Sequence, residues 1–362
     1  MRAIPERQLY LDFIRAAATI AVILIHVTAQ NFHIDPHGTT WDVFNIINSG
    51  VHWAVPAFLM ISGAVFLEKN ITIKEMFGKY IFRIAVAYVF WSAVYAVLYI
   101  VRHSGAGAKD FLREFIIGHF HMWFLPVIAG IYLVIPLLKP ISEERSTEKW
   151  FIILGFIFGI VLPQLSSLAP FLIPEEYRDF IIKLIDKPKV MLVQGYSFYF
   201  LLGHYLSKIK EPLLPGKRRI YTAGLWLAGI SGWAATALLT KYLSIKSGKA
   251  TSIAYGELTI NVLLESIFVF CIFKSLFHDR NQDKTVPRLL ESVVNFLSKY
   301  SFGVYLVHPL FLKRIRDVMG IDTLSFKNPV IGVLVIFAAV YALSYIASII
   351  IRHVPFIGKY VA

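Results

Sequence analysis

Long apolar runs alternate along the chain with short segments that contain polar residues, glycine or proline. Lipid offers no hydrogen-bond partners, so an apolar run of about 20 residues crosses a bilayer as a helix. The pattern predicts an all-α, polytopic integral membrane protein of about ten transmembrane helices. The predicted spans cover residues 9–31, 48–67, 80–101, 121–138, 150–172, 190–207, 220–240, 255–277, 297–312 and 329–351.

The composition points to the same class of protein. Of the 362 residues, 57% are hydrophobic and 16% are charged, whereas soluble domains carry about 25% charged residues. We find no internal repeat of the kind that many transporters carry, and no region suited to a soluble domain. Residues 1–362 are therefore predicted to form one transmembrane domain. The single cysteine, Cys271, lies in an apolar run, which excludes disulfides and thiolate metal sites, and no metal is expected.

The distribution of lysine and arginine predicts the orientation. An even number of spans leaves both termini on one side, and the termini and even-numbered loops hold 20 of these residues against 14 in the odd-numbered loops. Cytoplasmic loops are enriched in them, so both termini are expected in the cytoplasm. The first loop, with Asp35 and Asp42 but no lysine or arginine, supports this orientation. The net charge of +13 then fits basic loops facing anionic lipid, without a nucleic-acid partner.

The first predicted span carries a polar stripe of Asp12, Arg15, Thr19 and His26. Eleven residues turn a helix by about 1100°, so Arg15 and His26 share a face and lie ~16 Å apart. A charge at this depth costs at least ~2.5 kcal/mol and should face a polar cavity that marks a functional pathway. In the alternative interpretation, Arg15 snorkels to the headgroups and His26 is an interhelical hydrogen-bond donor.

Further histidines fall on the same side of the membrane as His26 when the predicted topology is applied. They are His52, His119, His121 and His308. A histidine-rich outer cavity is therefore predicted. For His52 and His119 the alternative is an interfacial position at headgroup level.

Arg83 and Glu265 are two further charged residues within predicted spans. Arg83 sits about one turn into the third span, on the same side as Arg15, and two arginines there could bind phosphates bidentately. The alternative for Arg83 is again snorkelling. Glu265 is deep enough in the eighth span to need a partner such as Arg15 or Arg83, either as a structural ion pair or as a catalytic carboxylate.

Several fragments resemble the acyltransferase-3 family of bacterial membrane-bound acyltransferases, which usually have ten transmembrane helices. The strongest is the spacing of ten residues between Arg15 and His26, within LYLDFIRAAATIAVILIHVTAQ. WDVFNIINSGVHWAVPAFLMISGAVFL, HMWFLPVIAGIYLVIPLL, FYFLLGHYL and SFGVYLVHPLF follow in order. Trp-Asp followed by VPAFLMISG resembles enterobacterial common antigen O-acetyltransferases, and the length is similar to that of polysaccharide-adhesin modifying members. In many relatives the third span begins with two arginines that are three residues apart. This chain has Tyr80 at the first of these positions and Arg83 at the second, so only the second is matched.

The resemblance implies an O-acyltransferase of the bacterial inner membrane, with a cytosolic acyl-CoA such as acetyl-CoA as donor substrate and no tightly bound cofactor. The acceptor would be a hydroxyl of a cell-envelope glycan or lipid-linked sugar, and partner envelope-glycan enzymes are left open. Arg15 and Arg83 would bind the donor, and His26 would act as general base or, alternatively, as transient acyl carrier. Arg15 is also the natural partner of Asp12, three residues away. Candidate acceptor-side or supporting residues are His121, Trp123, His308, Glu265 and Asp12.

Two functions from other classes use the same residues differently. An exporter or flippase of polysaccharide or lipid-linked sugar would line a translocation path with the polar stripe and would need no acyl donor. A structural or sensory membrane protein would leave Arg15 and His26 without a purpose.

Overall fold

The computed structural model describes residues 8–188, 190–210, 214–277 and 287–362, and within these ranges it contains helices and no strand. Two of the helices include π-helical segments, at Met76–Ile81 and Phe156–Val161. A 3₁₀ turn at Phe120–Trp123 leads into the helix that begins at Phe124. The helices are α1 (Leu9–Ala29), α2 (Thr39–Ser49), α3 (Ala54–Phe66), α4 (Ile73–Arg102), α5 (Ala108–Ile117), α6 (Phe124–Glu143), α7 (Arg145–Leu172), α8 (Glu175–Asp186), α9 (Ser197–Lys208), α10 (Pro215–Ser247), α11 (Ile260–Phe277), α12 (Arg288–Met319), α13 (Pro329–Arg352) and α14 (Gly358–Val361).

Eight segments of the described chain are long and apolar enough to cross a membrane. They include α1, α4, α7, α10 and α13, and α2 together with α3 counts as one of them. Large apolar side chains remain exposed on these helices, and lipid is the environment that suits such a surface. The prediction of an all-α, multi-pass membrane protein is confirmed. Examples of the exposed apolar side chains are Val89, Leu137, Trp226, Leu238 and Ile350.

The two other predicted spans are also helices, but with different bounds. The predicted span 190–207 is helical from Ser197 to Lys208, and 12 residues reach only ~18 Å, less than the thickness of a bilayer core. The predicted span 297–312 is the middle of the 32-residue helix α12. The predicted first loop also differs, because Asp42 lies in α2 and pairs with Lys241 of α10 at 2.7 Å.

Helix α1 lies at the centre of the bundle, where it contacts α2, α3, α11, α12 and α13. In its apolar 18-residue stretch, 61% is buried inside the protein, compared with 22% in the corresponding stretch of α10. One half of α1 packs through Ile14 into a core with α3 and α9, and the other half packs through Ile23 into a core with α12 and α13. The polar residues of α1 are therefore held inside the protein and not against lipid.

Helices α3 and α9 touch backbone to backbone. A Cβ atom at Gly63 would lie 1.7 Å from the carbonyl oxygen of Phe200, and one at Gly203 would lie 2.1 Å from that of Met60. Only glycine allows this approach, which is the usual way in which helices associate tightly inside a membrane protein. The contact places His204 of α9 near the end of α3.

Candidate functional site

The polar stripe of α1 borders two separate cavities. Arg15 lines one of about 880 Å³, and His26 lines another of about 340 Å³. Because α1 is one continuous helix, the eleven residues between them correspond to ~16 Å along its axis. A cavity therefore lies beside each of these two residues, and we name them the Arg15 cavity and the His26 cavity.

The Arg15 cavity carries an excess of positive charge. Basic side chains converge on it from α1, α4 and α12, from the end of α13 and from the segment that follows α3. Burial lowers the pKa of one of them, Lys69, and the charge of Lys79 adds to that effect. Two acidic residues, Asp12 and Glu68, also border the cavity. The basic residues are Arg15, Lys69, Arg83, Lys299 and Arg352.

Arg15 is held at the wall of this cavity by Asp12 and Ser298. Its guanidinium donates to Asp12 Oδ1 at 2.7 Å and contacts Ser298 Oγ at 2.9 Å. The Ser298 hydroxyl in turn donates to Asp12 Oδ1 at 2.5 Å. The predicted pairing of Asp12 with Arg15 is confirmed. The side chain of Arg15 is still 31% exposed, against 5% for Asp12, so the guanidinium can contact a ligand while Asp12 orients it.

Arg83 reaches the same cavity from α4, which confirms the predicted convergence with Arg15. Its guanidinium carbon lies 4.9 Å from the ring centroid of Phe302 on α12. The Arg83 Nε atom is buried without a hydrogen-bond partner among the described residues. A planar donor set of this kind is well suited to an anion such as phosphate.

The prediction that Glu265 pairs with Arg15 or Arg83 is wrong. Glu265 accepts a hydrogen bond from Thr236 Oγ1 at 2.8 Å, at the interface between α10 and α11. Gly232 lets the two helices approach closely there, since a Cβ atom on it would lie 2.6 Å from the carbonyl oxygen of Asn261. The face of α11 that carries Glu265 is thus turned toward α10, away from the Arg15 cavity.

Two histidines meet at the His26 cavity. The rings of His26 and His308 stack with centroids 5.0 Å apart and planes 30° apart. His308 Nδ1 lies 2.7 Å from the carbonyl oxygen of Tyr305. A carbonyl only accepts, so this nitrogen carries the proton and Nε2 keeps the lone pair. His308 Nε2 has no hydrogen-bond partner within the described ranges.

His119 and His121 complete the cluster. Their Nδ1 atoms lie 2.9 Å apart, and the His121 and His308 ring centroids are 5.5 Å apart. The hydroxyl of Tyr305 donates to the carbonyl of His121. The structure thus brings the rings of four of the predicted histidines together. Of these, His26 and His119 line the His26 cavity, whereas His121 and His308 are buried beside it.

His52 and Trp123 lie outside both the histidine cluster and the lining of this cavity. His52 stacks on Tyr255 with ring centroids 4.4 Å apart. Trp123 packs near Tyr196, with ring centroids 5.7 Å apart, and is 37% exposed. Neither belongs to the residues that line the His26 cavity.

Basic residues surround the rest of the His26 cavity. Lys313 and Arg316 lie one turn apart on α12, and the neighbouring Asp317 is paired with Arg102 at 3.3 Å. The Phe120 ring also lines the cavity and packs edge-to-face with His26, with ring centroids 5.2 Å apart. A histidine beside polar and aromatic groups can exchange a proton with a bound hydroxyl compound.

Sequence reasoning missed one buried ionic cluster, formed by Glu68, Glu148 and His204. His204 Nδ1 lies 2.6 Å from Glu148 Oε1, and His204 Nε2 lies 2.7 Å from Glu68 Oε1. Burial alone would raise the pKa of Glu68, but Lys208 and His204 outweigh it and hold that pKa below its ordinary value. His204 stands in the FYFLLGHYL fragment, but its partners come from distant segments and share no motif with it.

The comparisons with known proteins agree with this architecture. A family model described as an acyltransferase domain, Acyl_transf_3, matches residues 8–352. A Staphylococcus aureus protein named "Probable poly-beta-1,6-N-acetyl-D-glucosamine export protein" is 21% identical over 314 residues, which cover 84% of this chain and 82% of that protein.

A second relative carries an enzyme's name. The Bacillus subtilis protein named "Putative membrane-bound acyltransferase YfiQ" is 23% identical over 320 residues, covering 83% of this chain and 79% of that protein. No solved structure matches the chain. Because the family model covers nearly the whole bundle, including both cavities on α1, the chain belongs to the acyltransferase-3 family of membrane proteins.

Proposed function

We propose that this protein is an O-acyltransferase of the bacterial cytoplasmic membrane. It moves an acetyl or other short acyl group from a cytosolic acyl-CoA to a hydroxyl of a cell-envelope glycan or lipid-linked sugar. One observation carries the proposal, namely that α1 links a strongly basic cavity at Arg15 to a histidine cluster at His26. The acyltransferase family model supports the reaction class.

The Arg15 cavity is the proposed donor site. Acyl-CoA carries several phosphate groups, and Arg15 and Arg83 offer planar donors that bind phosphate bidentately. Five basic and two acidic side chains line this cavity, and this excess of positive charge favours the binding of a polyanion. The thioester sits at the far end of a long pantetheine arm, so phosphates bound at Arg15 are compatible with a reacting carbon near His26.

His26 is the proposed general base. As the acceptor oxygen bonds to the thioester carbonyl carbon, its proton passes to the His26 imidazole. The carbon–sulfur bond then breaks, the electron pair stays on sulfur, and the imidazolium returns the proton to the leaving thiolate. The products are an ester and free CoA. The stacked ring of His308 keeps His26 in a fixed orientation during these transfers.

The orientation in the membrane is part of the proposal. Both termini lie in the cytoplasm, so the Arg15 cavity opens toward cytosolic acyl-CoA and the His26 cavity toward the envelope. A cysteine replacing exposed His37 should react with a membrane-impermeant thiol reagent added to intact cells. A cysteine replacing exposed Lys217 should react only after the cells are opened. Buried Cys271 is first replaced by serine, and the reverse labelling pattern would exchange the two sides.

The deciding experiment measures acyl-CoA consumption. Purified protein in detergent is mixed with acetyl-CoA, with and without envelope glycan, and free CoA is measured with a thiol reagent. We expect glycan-dependent release of CoA together with ester formation on the glycan. Absence of both reactions for acetyl-CoA and succinyl-CoA would refute the proposal.

A second candidate is export of a polysaccharide or lipid-linked sugar. It is favoured by the export function in the name of the Staphylococcus aureus relative. An exporter would move glycan across proteoliposomes without acyl-CoA, whereas the proposed enzyme would modify it only when the donor is present. The same preparation therefore distinguishes the two functions.

A further inference from the structure

His204 is a buried histidine that the proposed chemistry does not use. It follows Gly203 on α9 and is 4% exposed. Both of its ring nitrogens face carboxylates, Glu148 at 2.6 Å and Glu68 at 2.7 Å. The His204 ring therefore bridges two acidic side chains.

The two carboxylates have different surroundings. Glu148 on α7 is 1% exposed, and its second oxygen lies 3.7 Å from the Arg145 guanidinium. The side chain of Glu68 is 41% exposed and also pairs with Lys208 at 2.7 Å. Glu148 is thus the buried anchor of the cluster, and Glu68 is the end that reaches the surface.

Glu68 lies at the wall of the Arg15 cavity, in the segment between α3 and α4, and the next residue, Lys69, is one of the basic groups of that cavity. Lys139 donates to the backbone carbonyl of Leu67 at 2.9 Å. The segment 67–69 is therefore tied to α9 through Glu68 and to α6 through Leu67.

Packing alone does not require this cluster. The backbone contact of Gly63 with Phe200 already joins α3 to α9, and Phe198, Tyr199 and Leu201 are almost completely buried around it. Burying two ionisable groups, His204 and Glu148, costs desolvation energy that apolar side chains would not. A role in binding explains why the cluster ends at the cavity wall.

We propose that His204 is a positioning residue of the donor site. His204 holds Glu68 against α9, and this contact fixes the neighbouring Lys69 at the edge of the Arg15 cavity. His204 also pairs with the Glu68 carboxylate, which would otherwise repel the donor phosphates. This inference rests on the proposed function, because it assumes that the Arg15 cavity binds acyl-CoA.

A double-mutant cycle on the full-length protein tests this role. His204→Gln, Glu68→Gln and the double variant are compared with the wild type for acetyl-CoA binding by titration calorimetry and for KM and kcat. Each single change should raise the KM for acetyl-CoA about tenfold, and the double variant should show about the same tenfold rise instead of about a hundredfold, as expected of residues that act as one unit. The kcat should stay within about twofold, because neither residue touches the His26 cavity.

The matched control is His103→Gln. His103 also hydrogen bonds through Nδ1, to the Tyr99 carbonyl at 2.8 Å, but it is exposed at the end of α4 and lines neither cavity. It should leave KM and kcat unchanged. Thermal melts first establish that each variant is folded.

His204→Gln could unfold the protein, because it leaves Glu148 with a weaker partner. In that case Glu68→Gln and Lys69→Gln, whose side chains are not fully buried, form the cycle and should again raise the KM non-additively. Unchanged acetyl-CoA binding in folded variants, or additive effects, would overturn the role of His204 and leave the proposed function intact. The proposed function itself fails under a different result, namely that the wild-type protein neither binds nor consumes acyl-CoA.

Discussion

The Arg15 cavity and the His26 cavity border opposite halves of one helix, yet they offer different chemistry. The first is lined by arginines and lysines, which suit the binding of an anion. The second is built around stacked histidines, whose ring nitrogens can accept or donate a proton. In the proposed function, donor binding and proton transfer therefore take place at separate halves of α1.

The two ends are also supported differently. Arg15 is held by hydrogen bonds to Asp12 and Ser298, whereas His26 is held by ring contacts with His308 and Phe120. A charge inside a membrane protein needs a hydrogen-bonded partner. A ring held by stacking keeps its nitrogens available for a substrate.

The largest expected effect is at the His26 end. His26→Ala should reduce acyl transfer by about 10²–10⁴-fold, the usual contribution of a general base. Acetyl-CoA binding should change little, because Arg15 lies ~16 Å away along the helix. His26→Gln should behave in the same way, since an amide cannot take up the proton. Transfer is measured as ester formation on glycan, and wild-type rates in either variant would remove His26 from the mechanism.

The next largest effect is at the Arg15 end. Arg15→Ala and Arg83→Ala should each weaken acetyl-CoA binding by ~2–5 kcal/mol, as loss of a buried charged partner commonly does. Arg15→Lys should also impair binding, because lysine keeps the charge and loses the planar fork. Titration calorimetry on variants shown to be folded by thermal melts measures the affinity.

The control for these arginine variants is Arg314→Ala, which removes an exposed arginine that lines neither cavity. It should bind acetyl-CoA like the wild type. If Arg15→Lys also binds and turns over normally, Arg15 and Asp12 form a structural ion pair, and the Arg15 cavity is not the donor site.

The smallest effect should come from Glu265→Gln. Glutamine can still accept the hydrogen bond from Thr236, so the free energy of unfolding should change by less than ~1.5 kcal/mol. Acetyl-CoA binding and transfer should remain within about twofold of wild type, because Glu265 lies outside both cavities. A large loss of transfer with intact folding would show that the polar interface of α10 and α11 takes part in the reaction.

The sequence by itself determined the membrane class, the helical architecture and the polar stripe of α1. Lipid imposes these features, because a spanning segment must be apolar and must satisfy its backbone hydrogen bonds within one helix. The common face of Arg15 and His26 follows from helix geometry alone. These are local properties, so they can be derived from one stretch of chain.

Only the tertiary structure decided which residues surround that stripe. Ser298 is 283 residues from Arg15 in the sequence, and His204 is 136 residues from Glu68. The direction in which each helix turns its polar face depends on close contacts such as Gly232 with Asn261, which directed Glu265 toward Thr236. Membrane helices all present similar apolar surfaces to one another, so steric fit between distant segments, and not local pattern, selects their neighbours.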